Sequence, residues 1–442
     1  MLPCTDDKRY KSKKFLTPDD ADYKACVKSS YCGFEIKSAS QCLKPEIHKN
    51  FQKALMTMQR AGLFHYDLVQ FGTTVNSTRV QRVLVGEPGM TYLYQKLRLF
   101  ALPWNDESVA SGSLLAVKQL NDMIRLESEK LLKQKRDVGG YVGESAGVGS
   151  CDFNLTLINA ARNNRELDVD GAIPVQKFVP FREESRFGMG KCAVNWHRDS
   201  TLEPFSTIAV YHHTPLDRNA LDWKIAMAVD EGSNQLTSPA LAVPLRDGDC
   251  YFMLGNFNHH HIHSVIAGTS TRYASTHRVA VTAQSTWREI SEYSKSLLNH
   301  LQSEPDLAKS IRKIGEGASC LEFGWIRQFY VQGGVHAKQH ETYWAPRIQR
   351  LEKIWKRLNS YLQKSIQSLI LGTTCNNKRA YNMAIYILES RIESRREWQK
   401  RYHDKQYQGL EKPFRPIIVP EVDVTTDVDF VGELRDKMAN LF

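Results

Sequence analysis

The sequence predicts an α+β protein: a double-stranded β-helix, or jelly roll, followed by an all-α helical bundle. The prediction rests on a change of period along the 442 residues. Between about residues 151 and 282, short apolar runs are separated by turn residues, which is typical of a sandwich or barrel. After about residue 283, apolar residues recur every three or four positions, as in packed helices. We therefore expect a disordered basic arm over 1–15, a jelly-roll domain over 16–282 and a helical domain over 283–442.

The charge balance of the chain is basic. Lys and Arg number 59 against 49 Asp and Glu, which gives a formal net charge of +10. An excess of cations suits a polyanionic partner such as nucleic acid. The basic cluster Lys8–Lys14 in the arm is compatible with a nuclear address, a nucleic-acid contact or a solvated tail. Hydrophobic residues make up 42% of the chain, which indicates a folded protein.

Membrane and zinc-knuckle patterns are missing from the sequence. The chain has no run of about 18 apolar residues, and Met1–Asp20 is polar, so we expect an intracellular protein without a membrane span. The nine cysteines are scattered and form no C-x-x-C pair. This spacing favours reduced thiols over a disulfide framework or a zinc knuckle.

Two helices are predicted in the first third of the chain, over about 45–62 and about 108–135. Gly62 ends the first, as a C-terminal glycine commonly does. The glycine-rich stretch 139–149 that follows the second is predicted to be a flexible loop, and it lacks the ending of a phosphate-binding loop. The apolar stripes that support the helices are Ile47, Phe51, Leu55 and Met58 in the first, and Leu114, Val117, Leu120, Ile124 and Leu131 in the second.

The strands of the jelly roll are predicted from short runs rich in β-branched and aromatic residues between turn signals. Gly86-Glu87-Pro88-Gly89 is one such signal, because proline and glycine favour a tight turn. The predicted strands are Val80–Val85, Thr91–Phe100, Phe153–Ile158, Cys192–His197, Ile208–His212, Leu241–Pro244, Cys250–Leu254, His261–Ala267 and Arg278–Gln284.

Three apolar stripes predict the helical bundle, and a short helix is predicted over Phe430–Leu441. The segment that begins at Lys412-Pro413 contains further prolines and is expected to be extended. The stripes are Ile290, Tyr293, Leu297 and Leu301; Ile348, Leu351, Trp355, Leu358 and Leu362; and Tyr381, Ile385, Leu388 and Ile392.

His197 and Asp199 are candidate metal ligands, because residues two apart on a strand project from the same face. The motif H-x-D alone is common by chance and fits an ordinary structural histidine better than a ligand. A distant His263 completes a set of two imidazoles and one carboxylate, which is used by non-haem Fe(II) oxygenases and also by catalytic zinc sites.

The segment Arg272–Arg278 favours iron over zinc. If it is extended, Arg272, Ala274, Thr276 and Arg278 share one face, with a guanidinium at each end. Guanidinium groups bind carboxylates bidentately and keep their charge, so the pair suits an organic acid with two carboxylates. Beside an iron site, the natural candidate is 2-oxoglutarate.

On these residues the chain resembles the AlkB-like dioxygenases. The resemblance spans both predicted domains and implies a jelly-roll catalytic domain with Fe(II), 2-oxoglutarate and O2. It is carried by Arg82–Gly89 with Thr91–Tyr94, Phe187–Lys191, Val194–Asp199, Gly248–Leu254, Ser275–Val279, Trp325–Phe329 and Arg396–Trp398.

The resemblance also implies roles for individual residues. His261 is the alternative to His263 as the distal metal ligand. The implied metal ligands are His197, Asp199 and His263; the implied 2-oxoglutarate residues are Asn154, Tyr251, Arg272, Ala274, Thr276 and Arg278; and the implied substrate residues are Arg82, Tyr94, Arg198 and Ser200. Two positions depart from the family pattern, since Ser200 replaces a glutamate and Ala274 replaces a serine. The segment 168–184 is longer than expected and 216–234 is shorter.

The function implied by the resemblance is oxidative removal of N-methyl groups from nucleobases in RNA, first of all N6-methyladenosine, through a hydroxymethyl intermediate and release of formaldehyde. Alternatives are demethylation of N3-methylated pyrimidines in single-stranded nucleic acid, hydroxylation of a protein side chain, or a non-catalytic RNA-binding or scaffold role. The expected partner is single-stranded RNA or DNA. We expect a monomer or a weakly associating homo-oligomer located in the nucleus, and also in the cytoplasm.

Overall fold

The structure is a computed structural model. It describes residues 15–71, 74–110, 112–137, 150–161, 180–215, 221–230, 238–303, 306–372, 377–402, 407, 410–418 and 424–442. The basic cluster of the predicted arm, the loop 139–149 and parts of the segments 168–184 and 216–234 lie outside these residues. The chain forms two compact units. One is β-rich and extends to residue 282, and the other is mainly helical and contains 283–442 together with 68–76 and 93–100.

Most of the described strands lie in the β-rich unit. The described strands of both units are β1 (Phe15–Leu16), β2 (Phe34–Lys37), β3 (Leu68–Phe71), β4 (Thr74–Ser77), β5 (Gln81–Gly86), β6 (Thr91–Tyr94), β7 (Leu97–Phe100), β8 (Leu102–Pro103), β9 (Leu155–Ala161), β10 (Arg182–Glu183), β11 (Lys191–His197), β12 (Ile208–His213), β13 (Lys224–Val229), β14 (Ala240–Pro244), β15 (Cys250–Met253), β16 (His261–Ile266) and β17 (Arg272–Arg278).

The helices carry a π-helical turn at Glu322–Ile326 and a 3-10 turn at Lys412–Phe414. They are α1 (Tyr23–Ser30), α2 (Ala39–Cys42), α3 (Pro45–Arg60), α4 (Ser113–Asp137), α5 (Phe257–His260), α6 (Trp287–Ser303), α7 (Leu307–Leu321), α8 (Arg327–Tyr330), α9 (Gly333–Gln339), α10 (Trp344–Leu371), α11 (Lys378–Tyr402) and α12 (Thr425–Leu441).

The β-rich unit is built from two sheets, as a jelly roll requires. One has the strand order β1-β14-β13-β16-β11-β10, and the other β2-β15-β12-β17-β9-β5-β8. Apart from the pairs β13–β14 and β10–β11, neighbouring strands in these two sheets are not consecutive, so residues far apart in the sequence meet on one sheet. The predicted fold class, a jelly roll followed by helices, is confirmed.

The core between the sheets follows the period of two along each strand. Val210 of β12, Tyr251 of β15 and Ala274 of β17 belong to this core together with Ile225 and Met227 of the opposite sheet. The alternate residues of the seven-stranded sheet face away from it. The spacing of side chains on β17 therefore decides which of them can reach a site between the sheets.

Helices α3 and α4 cover the outer face of the seven-stranded sheet. Phe51 and Leu55 of α3 and Leu120 of α4 form a core with outward-facing strand residues such as Tyr211 and Tyr273. Burial of a sheet on both faces favours apolar residues at successive positions, as in Ile208–Tyr211 of β12 and Cys250–Met253 of β15. The first two helix predictions are confirmed within a few residues, and Gly62 has the positive φ of 68° expected where α3 ends.

Two strand predictions need correction, and one central strand was not predicted. The run Thr91–Phe100 is a hairpin, because Gln95 and Lys96 have φ values of 46° and 64° and turn the chain. The predicted strand Arg278–Gln284 is wrong, since β17 ends at Arg278. Beyond it the chain leaves the ladder, and the backbone of Ala280 pairs with the side-chain amide of Asn154. No element was predicted for β13, which lies in the middle of its sheet.

The helical unit has two apolar cores. One gathers Trp325 and Trp344, and the other Ile366, Leu388 and Leu434 of α10, α11 and α12. The three predicted stripes lie on α6, α10 and α11, but α7 was not predicted and α12 is longer than expected. None of the described helices has the length and apolar character of a membrane span.

Candidate metal and cosubstrate site

The three predicted metal ligands lie together at the edge of the inter-sheet space. His197 at the end of β11 and His263 on β16 are register partners, and their ring centroids are 4.2 Å apart. Nε2 of His197 lies 3.5 Å from Oδ1 of Asp199. One ligand atom from each residue lies within 4.8 Å of the other two. This is the geometry of two imidazoles and a carboxylate around one metal ion.

Local backbone irregularity produces this cluster. The pairing of β11 with β16 shifts register between Cys192 and Val194 and again between Val194 and His197. Such bulges re-aim side chains near functional sites. The sequence predicted that strand alternation would place Asp199 beside His197. This is not the case, because β11 ends at His197. Asp199 is instead held by its backbone, which exchanges hydrogen bonds of 3.0 and 2.9 Å with the side chain of Asn258.

The two imidazoles are prepared for metal binding in different ways. Nδ1 of His197 lies 2.7 Å from the carbonyl oxygen of Asn195. This contact assigns the proton to Nδ1 and leaves the lone pair of Nε2 for a metal. Burial, together with the nearby His197, lowers the pKa of His263 to about 3, so the ring of His263 is neutral at physiological pH.

Asp199 is ionised although its side chain is buried. Burial raises its pKa, but Arg278, with Nε 2.8 Å from Oδ2, and the two histidines outweigh that effect. The pKa of Asp199 therefore lies well below its usual range. Arg278 in turn lies over the ring of Tyr92, whose hydroxyl donates to the carbonyl of Ser200 at 2.7 Å.

His261, the alternative ligand, is unsuited to the metal. Its Nδ1 lies 3.0 Å from the carbonyl of Phe257, and its Nε2 lies 2.8 Å from the carbonyl of Ser30. The ring also stacks on Phe257 at 3.9 Å. With both nitrogens facing backbone oxygens, this histidine secures α1 and α5 to β16.

The predicted face of β17 is present. Ala274 packs in the core between the sheets, so Arg272, Thr276 and Arg278 share its side of the sheet by the period of two. All four residues are buried. The intervening Tyr273 belongs to the outer core.

Arg272 is a buried cation whose protein partners are all neutral. Its Nε donates to Nδ1 of His212 at 2.9 Å, it hydrogen-bonds Tyr251, and its guanidinium lies 5.6 Å from the ring centroid of Trp223. Nη2 has no hydrogen-bond partner among the described residues. A buried guanidinium with a spare donor and no carboxylate fits an anionic ligand such as the distal carboxylate of 2-oxoglutarate.

The remaining predicted cosubstrate residues are buried on the same unit. The amide of Asn154 is occupied on both sides, since Nδ2 donates to the carbonyl of Ala280 at 3.0 Å and Oδ1 accepts from its N–H at 2.9 Å. Burial raises the pKa of Tyr251, so its hydroxyl stays protonated and can donate. Ala274 offers only a methyl group.

The predicted substrate residues have different environments. Arg82 is buried, and its Nε donates to Oδ2 of Asp67 at 2.6 Å. Arg198 is half-exposed and pairs with Asp230 at 2.7 Å. Ser200 is exposed. Tyr94 is part of the helical unit, unlike the other three.

Sequence reasoning missed several residues that organise the site. Asn258 holds the backbone of Asp199, and Tyr92 contacts both Arg278 and the loop at Ser200. The buried carboxylate of Glu184 accepts from Nε1 of Trp196 at 2.7 Å and from backbone N–H groups that follow it. Tyr92 and Trp196 lie in the motifs Thr91–Tyr94 and Val194–Asp199, whereas Asn258 and Glu184 lie outside every motif that carries the resemblance.

Two family models match the chain. The model of the FTO catalytic domain matches residues 21–281, and the model of the FTO C-terminal domain matches residues 276–441. The alpha-ketoglutarate-dependent dioxygenase FTO of Xenopus laevis is 29% identical in an alignment of 483 positions that covers 94% of this chain and 91% of that protein.

Similar solved structures include a prolyl hydroxylase from Trichoplax adhaerens in complex with a hypoxia inducible factor oxygen degradation domain peptide fragment. It is 12% identical, with a TM-score of 0.33, and the match covers 56% of this chain and 84% of that chain. OsALKBH1 is 10% identical, with a TM-score of 0.33 over 56% of this chain and 96% of that chain.

The two family models together span nearly all of the described residues, and the chain belongs to the FTO family.

Proposed function

We propose that the chain is an Fe(II)- and 2-oxoglutarate-dependent dioxygenase that removes N-methyl groups from nucleobases in single-stranded RNA, with N6-methyladenosine as the first candidate. One observation carries the proposal: the cluster of His197, Asp199 and His263 shares its unit with Arg272, a buried arginine that has no carboxylate partner among the described residues. Membership of the FTO family implies Fe(II), 2-oxoglutarate and O2 as cofactors.

The donor set suits Fe(II). His197 and His263 would each offer an imidazole nitrogen and Asp199 an anionic oxygen, which leaves open positions for other ligands. When bound, Fe(II) together with 2-oxoglutarate and O2 supplies the oxidant that hydroxylates the N-methyl carbon, and the hydroxymethyl product releases formaldehyde. Arg278 and Asn258 hold Asp199 in position for this role.

The cosubstrate contacts follow from charge. We assign the distal carboxylate of 2-oxoglutarate to Arg272 and the hydroxyl of Tyr251, because both are buried donors. Thr276 and Arg278 continue the same face of β17 toward Asp199. Asn154 supports this end of the site through the backbone of Ala280.

For the substrate we propose that Arg82, Arg198 and Ser200 of the β-rich unit contact the methylated base or its strand; the substrate role of Tyr94 stays a prediction from the resemblance. A base that is read outside a duplex needs an aromatic face and polar partners for its edge. The net charge of +10 favours a nucleic-acid strand over a neutral substrate.

We propose that the protein acts in the nucleus. Fractionation of cells that express the tagged protein would test this location.

The test is turnover. Purified protein with Fe(II), 2-oxoglutarate and ascorbate is incubated with single-stranded RNA that carries N6-methyladenosine, and formaldehyde and demethylated nucleoside are quantified. His197→Ala should abolish both products, whereas His259→Ala should retain them, because His259 is an exposed histidine of the same segment. If no methylated oligonucleotide is turned over by the wild-type protein, the demethylase function is wrong.

A second candidate is demethylation of N3-methylated pyrimidines, which Ser200 favours. Ser200 places a neutral hydroxyl where the family pattern has a glutamate, so a base without an N–H donor on its edge meets no unpaired carboxylate. Competition between N6-methyladenosine and N3-methyluridine in otherwise identical oligonucleotides would rank the two. A protein that binds RNA but gives no anaerobic absorption band with Fe(II) and 2-oxoglutarate would instead be a binding module.

A further inference from the structure

His212 on β12 lies beside the cosubstrate arginine, and no role has been assigned to it. Its side chain is fully buried, and its Nδ1 accepts the hydrogen bond from Nε of Arg272 at 2.9 Å. An arginine Nε–H can only donate, so Nδ1 carries no proton and the ring is the neutral Nε2–H form. Burial, with the charge of Arg272 and then His213, keeps the pKa of His212 well below its ordinary value.

The position of His212 on the sheet is equally specific. In the pairing of β12 with β17, His212 is the register partner of Ala274. Val210, two residues earlier on β12, packs in the core between the sheets, so His212 projects from this inner face too. Ala274 stands where the family pattern has a serine. The neighbouring strand therefore brings an imidazole to a position where β17 itself presents only a methyl group.

His212 is a poor choice for stability alone. Its Nε2–H has no hydrogen-bond partner among the described residues, and a buried donor without an acceptor costs free energy. A leucine of similar volume would avoid this cost in the apolar core. The imidazole is thus explained by what it does to Arg272.

The contacts of Arg272 leave one direction open. His212 fixes Nε, Tyr251 binds the guanidinium, and the ring of Trp223 lies over it. Nη2 is left as a donor without a protein partner among the described residues. A guanidinium that is held at Nε loses less rotational freedom when it binds a carboxylate, which strengthens the bond.

We propose that His212 is a positioning residue for 2-oxoglutarate, which acts by orienting Arg272 toward the distal carboxylate and thereby replaces the support that a serine at position 274 would give. The proposal rests on the proposed use of 2-oxoglutarate by this site. It predicts that the acceptor at Nδ1 is the essential feature, and not the bulk of the ring.

Binding is measured without turnover. The full chain is loaded with Mn(II) and titrated anaerobically with 2-oxoglutarate by calorimetry. His212→Leu removes the acceptor and should raise the Kd for 2-oxoglutarate about 10- to 100-fold, as losses of supporting hydrogen bonds do. His212→Asn places an amide oxygen near the position of Nδ1 and should stay within about threefold of wild type.

Turnover then separates positioning from a general defect. His212→Leu should raise the KM for 2-oxoglutarate by the same factor while kcat changes by less than about threefold, because the reacting atoms are untouched. Adding Ala274→Ser to His212→Leu should recover part of the affinity. The melting temperature of each variant shows that the fold is intact.

The outcomes are distinct. Equal weakening by His212→Leu and His212→Asn would overturn the proposal, because the acceptor would then be irrelevant. An unchanged Kd in His212→Leu would also overturn it. If wild-type protein with Mn(II) binds no 2-oxoglutarate at all, the proposed function itself is wrong, and that result is recognised before any variant is made.

Discussion

The two arginines at the ends of β17 are equally buried but have different partners. Arg278 pairs with the carboxylate of Asp199, whereas Arg272 is surrounded by the neutral groups of His212, Tyr251 and Trp223. A buried charge that is already paired has little to gain from a ligand, but one held only by neutral groups retains most of its attraction for an anion. Partner chemistry therefore separates a supporting arginine from a ligand-binding one.

The buried arginines of α8 and α11 are all of the supporting kind. Arg327 pairs with Glu322, Arg391 pairs with Asp427, and Arg395 bridges both acids. This network joins the π-helical turn, α11 and α12. Its role is to hold these helices together.

The largest effect should come from breaking that network. Glu322→Leu leaves Arg327, which is 1% exposed, without its carboxylate, and should lower the free energy of unfolding by about 3–5 kcal/mol. Urea unfolding followed by tryptophan fluorescence would measure it. Arg312→Leu removes a partner of the exposed Glu316 and should leave the midpoint of urea unfolding nearly unchanged. Similar costs for the two variants would contradict the structural role of the buried network.

The next effect separates the two arginines of β17. Arg272→Leu should weaken binding of 2-oxoglutarate to the Mn(II)-loaded protein about 100-fold or more, because the ligand carboxylate loses its cation. Its melting temperature without ligand should stay equal or rise, since a buried charge without a carboxylate partner is removed. Arg278→Leu should lower the melting temperature, because it leaves Asp199 buried without its cation. A lower melting temperature in Arg272→Leu, with an equal or higher one in Arg278→Leu, would contradict the roles assigned to the two arginines.

The third prediction concerns how stability depends on pH. It tests the outer face of β17, which carries His277. Burial, with the adjacent Arg278, lowers the pKa of His277 to about 3. Below about pH 6.5 the unfolded chain binds a proton at this position and the folded chain does not, so stability falls as pH falls from about 6.5 toward 3, by up to roughly 1.4 kcal/mol per pH unit. His277→Asn retains a donor for Asn121 and should flatten the decline in melting temperature between pH 6.5 and 4.

The matched control is an exposed histidine of the same unit. His259→Ala should leave the slope of melting temperature against pH unchanged, because its ring is exposed. An unchanged slope in His277→Asn would show that other groups govern acid sensitivity.

The sequence predicted the inner face of β17 well because that prediction depends only on the period of two. Arg272 and Ala274 share a side once the segment is a strand, wherever the strand lies in the sheet. Grouping His197 with Asp199 was equally successful, but for another reason. The carboxylate is brought to the site by a loop pinned to Asn258 and not by strand alternation.

Long-range pairing could not be predicted from local pattern. The register shifts of β11 and the partnership of His212 with Ala274 depend on which strands become neighbours. Strand β13, Lys224–Val229, is an unbroken apolar run of residues that suit a buried strand or a helix equally, so periodicity could not identify it. The predicted strand after Arg278 failed because the amide of Asn154 captures the backbone of Ala280.

The smallest effect concerns the choice of base and should leave both arginines untouched. Ser200 is exposed, and its backbone carbonyl is already held by Tyr92, so Ser200→Glu changes the side chain without moving the loop. A carboxylate there would accept from the N6–H of N6-methyladenine, whereas N3-methyluracil has no such donor. We expect kcat/KM for N6-methyladenosine relative to N3-methyluridine to rise several-fold, about 1 kcal/mol, with no change in the Kd for 2-oxoglutarate. Ser200→Gln, which is neutral, separates the charge from the added length. Equal ratios in all three proteins would exclude position 200 from base selection.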